Sequence, residues 1–317
     1  MTREQLTPFL TLDQKNVVGY YLKIGCEDFY LRQPQKEFEG YKLLRPYFRM
    51  PKARLAQTSV GPILVVQAIK DASAASKLLE TDPQAANRTL VEFMSDMEKM
   101  WLDTRRPMDE EQVARNWRLE SLKTLVRLAS DPTIESIGDK AVIVNGEKYP
   151  PVGQTLEECL NNLSRKKDPI MVLCHGDEHL ENLLTAHDGY YVIDPGNYTG
   201  LNSPSSTVNN VVGANYLFLY QYNGTACSEN GNFRVDYRVK EPYENAEKLM
   251  KPTLRRLDVL ARDILCGDSL DKELLFANEI RVAVGWVHRS MDLTEIRKTG
   301  MVYAGIATEH YYSDGII

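Results

Sequence analysis

The residues best suited to chemistry lie in the stretch LCHGDEHLENLL, Leu173–Leu184. His175, Asp177, Glu178, His179 and Glu181 sit between two apolar runs, with Gly176 among them and Asn182 at the far edge. A second stretch, VIDPGN, ends an apolar run on Asp194, twelve residues after Asn182. Apolar strands that end on polar loops can hold three oxygen-bearing side chains close together. Such a set suits Mg²⁺-assisted phosphoryl transfer. One carboxylate orients an attacking hydroxyl and accepts its proton, while an amide oxygen and a second carboxylate hold a hard cation. No covalent step is asked of the protein, so no nucleophilic Ser or Cys is expected. A rival reading is a metal-dependent hydrolase: His175, Asp177 and His179 alternate, and on a strand all three would face one way as Zn²⁺ or Mn²⁺ ligands. That reading leaves Gly176 and Asn182 without a role, and His187, His288 and His310 form no motif to complete the site. Glu178 and Glu181 are most simply members of a solvated turn.

These residues need elements to position them. PIMVLC (Pro169–Cys174) reads as a buried strand entering the loop, and GYYVID (Gly189–Asp194) as a second strand ending on its carboxylate. Upstream, Val17–Ile24, Asp28–Gln33, Ala53–Thr58 and Pro62–Ile69 read as strands. Between the second and third of these, PQKEFEGYKLLRPYF reads as a helix. Phe38, Tyr41 and Leu44 recur along it, Pro34 suits its start and Pro46 stops it. Residues 84–102 carry Leu90, Phe93, Met94, Met97 and Trp101 at helical spacing, a core stripe. Residues 109–129 read as another long helix. AVIVNGEKY (Ala141–Tyr149), with Asn145-Gly146 at its turn, is read as a small structural hairpin rather than a substrate-side flap. From about residue 205 the chain reads as helical, with helices over Tyr243–Leu265, Lys272–Ser290 and Thr294–Tyr311 and a Gly/Asn-rich loop over Gln221–Asn232. The loop Asn223–Asn232 and the helices around Glu279–Glu295 are placed at the acceptor side.

Composition narrows the classes. The 317 residues suit two lobes or one large domain. The formal net charge of −6, from 44 acidic against 38 basic residues, argues against a protein built to hold nucleic acid. Five cysteines, Cys26, Cys159, Cys174, Cys227 and Cys266, are scattered without a CxxC pair, which argues against a disulfide framework and a cysteine zinc site. Reduced, buried thiols are expected. The N-terminal residues carry no apolar stretch of signal-peptide type, and runs such as Ile63–Val66 are far below membrane-span length. A cytoplasmic protein without membrane or nucleic-acid partners is expected, as a monomer or homodimer.

HGDEHLEN followed by VIDPG resembles the HGDxxxxN…IDxG signature of the aminoglycoside phosphotransferase and choline kinase-like family of small-molecule kinases. The resemblance implies an α+β, bilobal protein-kinase-like fold. A small, mainly antiparallel β N-lobe with one helix would span residues 1–70, and a larger, mostly helical C-lobe residues 71–317. It implies an ATP- and Mg²⁺-dependent phosphotransferase acting on a hydroxyl of a small molecule: an aminoglycoside or other antibiotic, a sugar, an amino alcohol or a related metabolite. Asp177 would be the catalytic base, and Asn182 and Asp194 the Mg²⁺ ligands, with His175 and His179 supporting the loop. YYLKIGCEDFYLR is similar to the strands leading to the family's nucleotide-anchoring lysine, and places Arg32 there, with Lys23 and Lys36 as alternatives. An arginine is larger, planar and bidentate, yet still suited to phosphate oxygens. Glu37, with Glu39 as alternative, would be its partner, and backbone groups of Gln67, Ala68 and Ile69 would meet the adenine. Two further readings share this fold: a non-catalytic kinase-fold binding protein, and a protein kinase. The second lacks an Arg between His175 and Asp177 and an APE-like segment after IDPG.

Overall fold

A computed structural model describes residues 20–24, 33–59, 61–107, 109, 119–130, 137–163, 170–195, 199–208, 210–211, 222–264, 272–289 and 294–313. The expected strand Asp28–Gln33, Arg32 and the basic run 165–167 lie outside these residues, Gln33 apart.

The N-terminal part is an antiparallel sheet of β1 (Tyr20–Ile24), β2 (Ala53–Thr58) and β3 (Gly61–Gln67), with β3 in the centre. Tyr20 stands opposite Gln67 and Ile24 opposite Ile63, while Ala53 stands opposite Val66. Because β3 is central, Ile63–Val66 is buried on successive residues rather than alternately. Helix α1 (Gln33–Leu44) packs on β2 and β3. Its inward face is Pro34, Glu37, Gly40, Tyr41 and Leu44. Phe38, expected on that face, lies at its edge, with Lys42 Nζ 4.6 Å from its ring centroid. Tyr41, Leu64 and Val66 form a small core of their own.

The second, larger core is built around α3 (Pro83–Thr104), which follows the short strand β4 (Ser73–Ala74) and α2 (Ala75–Thr81). Asp82 caps α3 by accepting from Ala85 N at 2.9 Å, with Pro83 beginning the helix. Leu90, Phe93, Met94, Met97 and Trp101 fill its buried face, as their spacing predicts, and Met100 joins them. Two three-stranded sheets lie against it. One has the order β10 (Gly189–Val192), β9 (Leu183–Ala186), β4; the other has β11 (Gly200–Asn202), β8 (Ile170–Cys174), β5 (Arg106–Pro107). Helices α4 (Leu119–Ser130), α5 (Val152–Leu163), α6 (Pro204–Val208), α7 (Glu244–Ile264), α8 (Lys272–Arg289) and α9 (Thr294–Tyr312) complete the mostly helical body. Among the described residues no helix is long and apolar enough to cross a membrane.

The Gly/Asn-rich segment is a correction. It is not a loop between helices but a long hairpin, β12 (Tyr222–Glu229) and β13 (Asn232–Val239), turning at Asn230-Gly231. β13 pairs in parallel with β6 (Val142–Val144), which pairs with β7 (Glu147–Tyr149). The expected 141–149 hairpin is therefore the outer half of a four-stranded sheet. Both its turn residues have positive φ, 48° at Asn145 and 93° at Gly146, and Asn145 Oδ1 accepts from Tyr237 N at 3.0 Å. Cys227 is exposed on β12, against the expectation of buried thiols, while Cys159 and Cys174 are buried.

Candidate active site

Strand β8 buries Met171–Cys174 and delivers His175 into a loop that turns at Gly176, where φ is +86°. The loop closes on itself through His179 N to the Asp177 carbonyl at 3.0 Å and Asn182 N to the His179 carbonyl at 2.9 Å. The β9–β10 hairpin then carries the chain straight back. Ile193 N donates to the Asn182 carbonyl at 3.0 Å, and the Ile193 carbonyl accepts from His175 Nε2 at 2.8 Å. Ile193 is thus held from both ends of the loop, and Asp194 follows it immediately. Asp194 itself has φ +52°, a left-handed conformation that costs a non-glycine residue about 1–2 kcal/mol. The fixed residues on either side hold that conformation in place.

His175 is 1 % exposed and holds Ile193, and among the described residues its Nδ1 has no partner. Burial pushes its pKa down, against the pull of the Glu178 charge and the Ile193 carbonyl, so the ring is held neutral. Its neighbour Asp177 has a half-exposed side chain (54 %). Burial raises the Asp177 carboxyl, but the His179 contact and the Asn182 amide outweigh it and hold the group below the usual carboxylate range. An ionised carboxylate that reaches solvent can orient a hydroxyl by accepting its hydrogen bond.

Asn182 is buried and directed by its amide. Nδ2 donates to the Asp177 carbonyl at 2.9 Å and lies 3.0 Å from His179 Nε2. His179 Nε2 is also 3.4 Å from Asp177 Oδ2, so the ring touches both functional side chains. With Nδ2 used inside the loop, Oδ1 is the Asn182 atom left for a cation. The oxygen donors of Asn182 and Asp194 fit Mg²⁺, which takes one or two protein oxygens and fills its shell with waters and phosphate. They do not fit zinc. Among the described residues no group of three or more His, Cys, Asp or Glu could hold a metal ion. The hydrolase reading fails for a local reason: residues 175–179 are a loop, not a strand, and His175 turns inward to Ile193.

Glu178 corrects the reading of a solvated charge. It is 3 % exposed and accepts three hydrogen bonds at 2.8 Å, from His175 N, Thr207 Oγ1 and Asn210 Nδ2. Glu181, by contrast, is exposed as expected.

On the other side of this loop lies α1. Asp194 N donates to the Tyr41 hydroxyl at 3.3 Å. Burial raises the Tyr41 pKa far above that of a free tyrosine, so the hydroxyl stays neutral. One residue earlier, Gly40 meets Pro195 so closely that a Cβ there would lie 2.6 Å from the proline Cβ. Further on, Val192 N donates to the Arg49 carbonyl at 2.9 Å, and the Arg49 guanidinium pairs with the Asp188 carboxylate and carbonyl while lying 4.4 Å over the Tyr191 ring. Glu37 is buried on α1, one turn before Tyr41, whereas Glu39 is exposed and paired with Lys42 at 2.9 Å. Gln67, Ala68 and Ile69 leave the end of β3 half-buried, with Gln67 N on the Lys52 carbonyl at 2.8 Å. Lys36 is exposed.

No family model matches the chain, and no curated protein matches it in sequence. Solved structures do match. Choline kinase LicA from Streptococcus pneumoniae aligns with a TM-score of 0.54 at 14 % identity, over 98 % of both chains. A thermostable mutant of aminoglycoside phosphotransferase APH(4)-Ia, in ternary complex with AMP-PNP and hygromycin B, aligns with a TM-score of 0.55 at 14 % identity, over 94 % of this chain and 88 % of that one. Glucosamine kinase in complex with glucosamine, ADP and inorganic phosphate aligns with a TM-score of 0.52 at 14 % identity, over 84 % and 70 %. At such identities the likeness is one of fold: the chain has the α+β fold of the protein-kinase-like small-molecule kinases.

Proposed function

We propose that this chain, with the fold of small-molecule kinases, a loop that carries Asp177 and Asn182 and a turn after β10 that carries Asp194, transfers the terminal phosphoryl group of a nucleoside triphosphate to a hydroxyl of a small molecule. The observation that carries this reading is the double hold on Ile193. One backbone link to Asn182 and one side-chain link to His175 keep Asp194 beside the loop that presents Asp177.

In this reading the acceptor hydroxyl lies against the half-exposed Asp177 carboxylate, which orients it and takes its proton as the oxygen–phosphorus bond forms. Asn182 Oδ1 and the Asp194 carboxylate would hold Mg²⁺, whose chemistry is to neutralise charge on the phosphates. His179 keeps Asp177 and Asn182 in a fixed relation, and His175 fixes the approach of Asp194. Nothing covalent passes through the protein, so its contribution is placement and charge. ATP would sit between residues 1–70 and the remainder, with the adenine at Gln67–Ile69, and with Arg32 gripping phosphate oxygens and Glu37 as its partner. The substrates in the neighbours' names, glucosamine, choline and hygromycin B, are all amine-bearing alcohols. They form the first panel to try, and the acidic net charge of −6 agrees with a cationic acceptor.

The test is Mg²⁺-dependent ADP release over such a panel, with Asp177→Ala as the blank. Acceptor-dependent release abolished by the substitution supports the reading. No release above the blank with any hydroxyl acceptor, or tightly bound zinc in the purified protein, overturns it.

A further inference from the structure

Glu178 is a buried carboxyl side chain one residue from Asp177, and the proposed reaction does not use it. Its three donors come from two places. His175 N belongs to the loop itself, whereas Thr207 lies on α6, which packs on β8, α7 and α8, and Asn210 stands two residues beyond the end of that helix. A carboxylate that receives three hydrogen bonds in a buried site is held far more firmly than one in water, and its direction is set by its donors. Adjacent residues then differ sharply. Glu178 is turned inward and tied down, and Asp177 is left half-exposed.

Resting on the phosphotransferase reading above, we propose that Glu178 is a positioning residue: by tying the start of the loop to Thr207 and Asn210 it fixes the direction in which Asp177 meets the acceptor hydroxyl. The metal side has further ties that Glu178 does not make: Asn182 N on the His179 carbonyl, Ile193 N on the Asn182 carbonyl and Asp194 N on the Tyr41 hydroxyl. Loss of the Glu178 tie therefore lowers the rate of transfer more than it weakens nucleotide binding. Glutamine is the informative replacement. Its carbonyl keeps both bonds made by Oε1, and Asn210 can rotate its amide to offer an oxygen to the new NH₂.

The experiment compares Glu178→Leu, Glu178→Gln and Thr207→Val in the full chain. It measures kcat, KM for ATP, AMP-PNP affinity, and hydrogen exchange over residues 173–182. In E178L, kcat falls by about 10²-fold, the usual scale for a misplaced reacting group. AMP-PNP affinity falls far less than kcat, and the His175 amide loses protection. E178Q recovers most of kcat and keeps that protection. T207V falls between them, because Oε1 retains the His175 amide. An E178L that melts earlier yet keeps the wild-type kcat per AMP-PNP-binding site overturns the inference, as does an E178Q no more active than E178L. A wild type that turns over no nucleotide overturns the parent reading instead, so the two failures are told apart.

Discussion

Gly40→Ala tests whether α1 and the turn after β10 are one mechanical piece. Helix propensity alone favours alanine over glycine by about 1 kcal/mol in a helix interior. The packing opposes it. The new Cβ would lie 2.6 Å from Pro195 Cβ, 3.2 Å from Thr199 Oγ1 and 3.4 Å from Pro195 Cγ. Carbon atoms rest about 3.5–4.0 Å apart, so roughly 1 Å must be found. Pro195 cannot supply it by changing rotamer, because its ring is closed on its own backbone. Overpacking of this kind costs about 1–3 kcal/mol. Set against the propensity gain, the net effect on stability ranges from nothing to about 2 kcal/mol. The larger effect is positional. Pro195 follows Asp194, so a shift of about 1 Å reaches the carboxylate proposed to hold Mg²⁺, and a misplacement of that size costs on the order of 10²-fold in rate. Thermal melting and Mg²⁺-dependent ADP release, run side by side, read both numbers. The expected result is a melting temperature within a few degrees of wild type and a kcat lowered by one to two orders of magnitude. A Gly40→Ala protein that melts higher and turns over at the wild-type rate would refute the close contact and the coupling drawn from it.

Asp177→Asn should lower kcat by about 10²–10⁴-fold with AMP-PNP affinity retained, since it removes the base and leaves the amide geometry; an intact turnover number would remove Asp177 from that role. Glu279, 2 % exposed between α8 and α9, has its pKa pushed up to about 8 by burial, the Tyr303 hydroxyl at 3.4 Å pulling it back. Its folded pKa lies above its unfolded value, so the folded state binds the extra proton and stability falls as pH rises from about 4.5 towards 8, by several kcal/mol at about 1.4 kcal/mol per pH unit. Urea titrations at pH 5 and pH 8 should show that Glu279→Gln flattens this slope, and a slope identical to wild type would count against a protonated Glu279. Asn145→Ala removes the acceptor for Tyr237 N and places alanine at φ 48°. It should cost about 1–2 kcal/mol in urea unfolding with kcat unchanged, and an unaltered midpoint would speak against the strained turn.

Much of this architecture can be read from local patterns. The α3 stripe, the Pro34 start and Pro46 stop around α1, and the apolar runs of β3 and β8 are signals carried by neighbouring residues. The β12–β13 hairpin was hidden for two reasons. Its outer strand does alternate, with Tyr222, Gly224 and Ala226 half-buried between exposed Asn223, Thr225 and Cys227, but the apolar set is too small to stand out, and Gly224 looks like a loop residue. In fact Gly224 is required by a neighbour: a Cβ there would lie 2.4 Å from Val302 on α9. The Asn230-Gly231 pair carries the same turn signal as Asn145-Gly146, and weighing it equally would have found the hairpin. At the site, Asp177, Asn182 and Asp194 are legible together because their spacing is local. Glu178 is not, because Thr207 and Asn210 lie 29 and 32 residues away, and a glutamate without visible partners looks solvated.

The contacts of Gly40 with Pro195, Tyr41 with Asp194 N, and Arg49 with Val192 and Asp188 join α1 and the turn after it to β10 and the residues on either side of that strand. They act as a clamp. The segment Gly40–Arg49 cannot draw straight away from Asp188–Pro195 without breaking all three. If nucleotide enters beside this segment, as proposed, an opening that keeps the clamp must turn about it, and points close to the axis of a rotation move least. Asp194 is such a point, so the carboxylate proposed to hold Mg²⁺ would keep its place while parts further from the clamp give way.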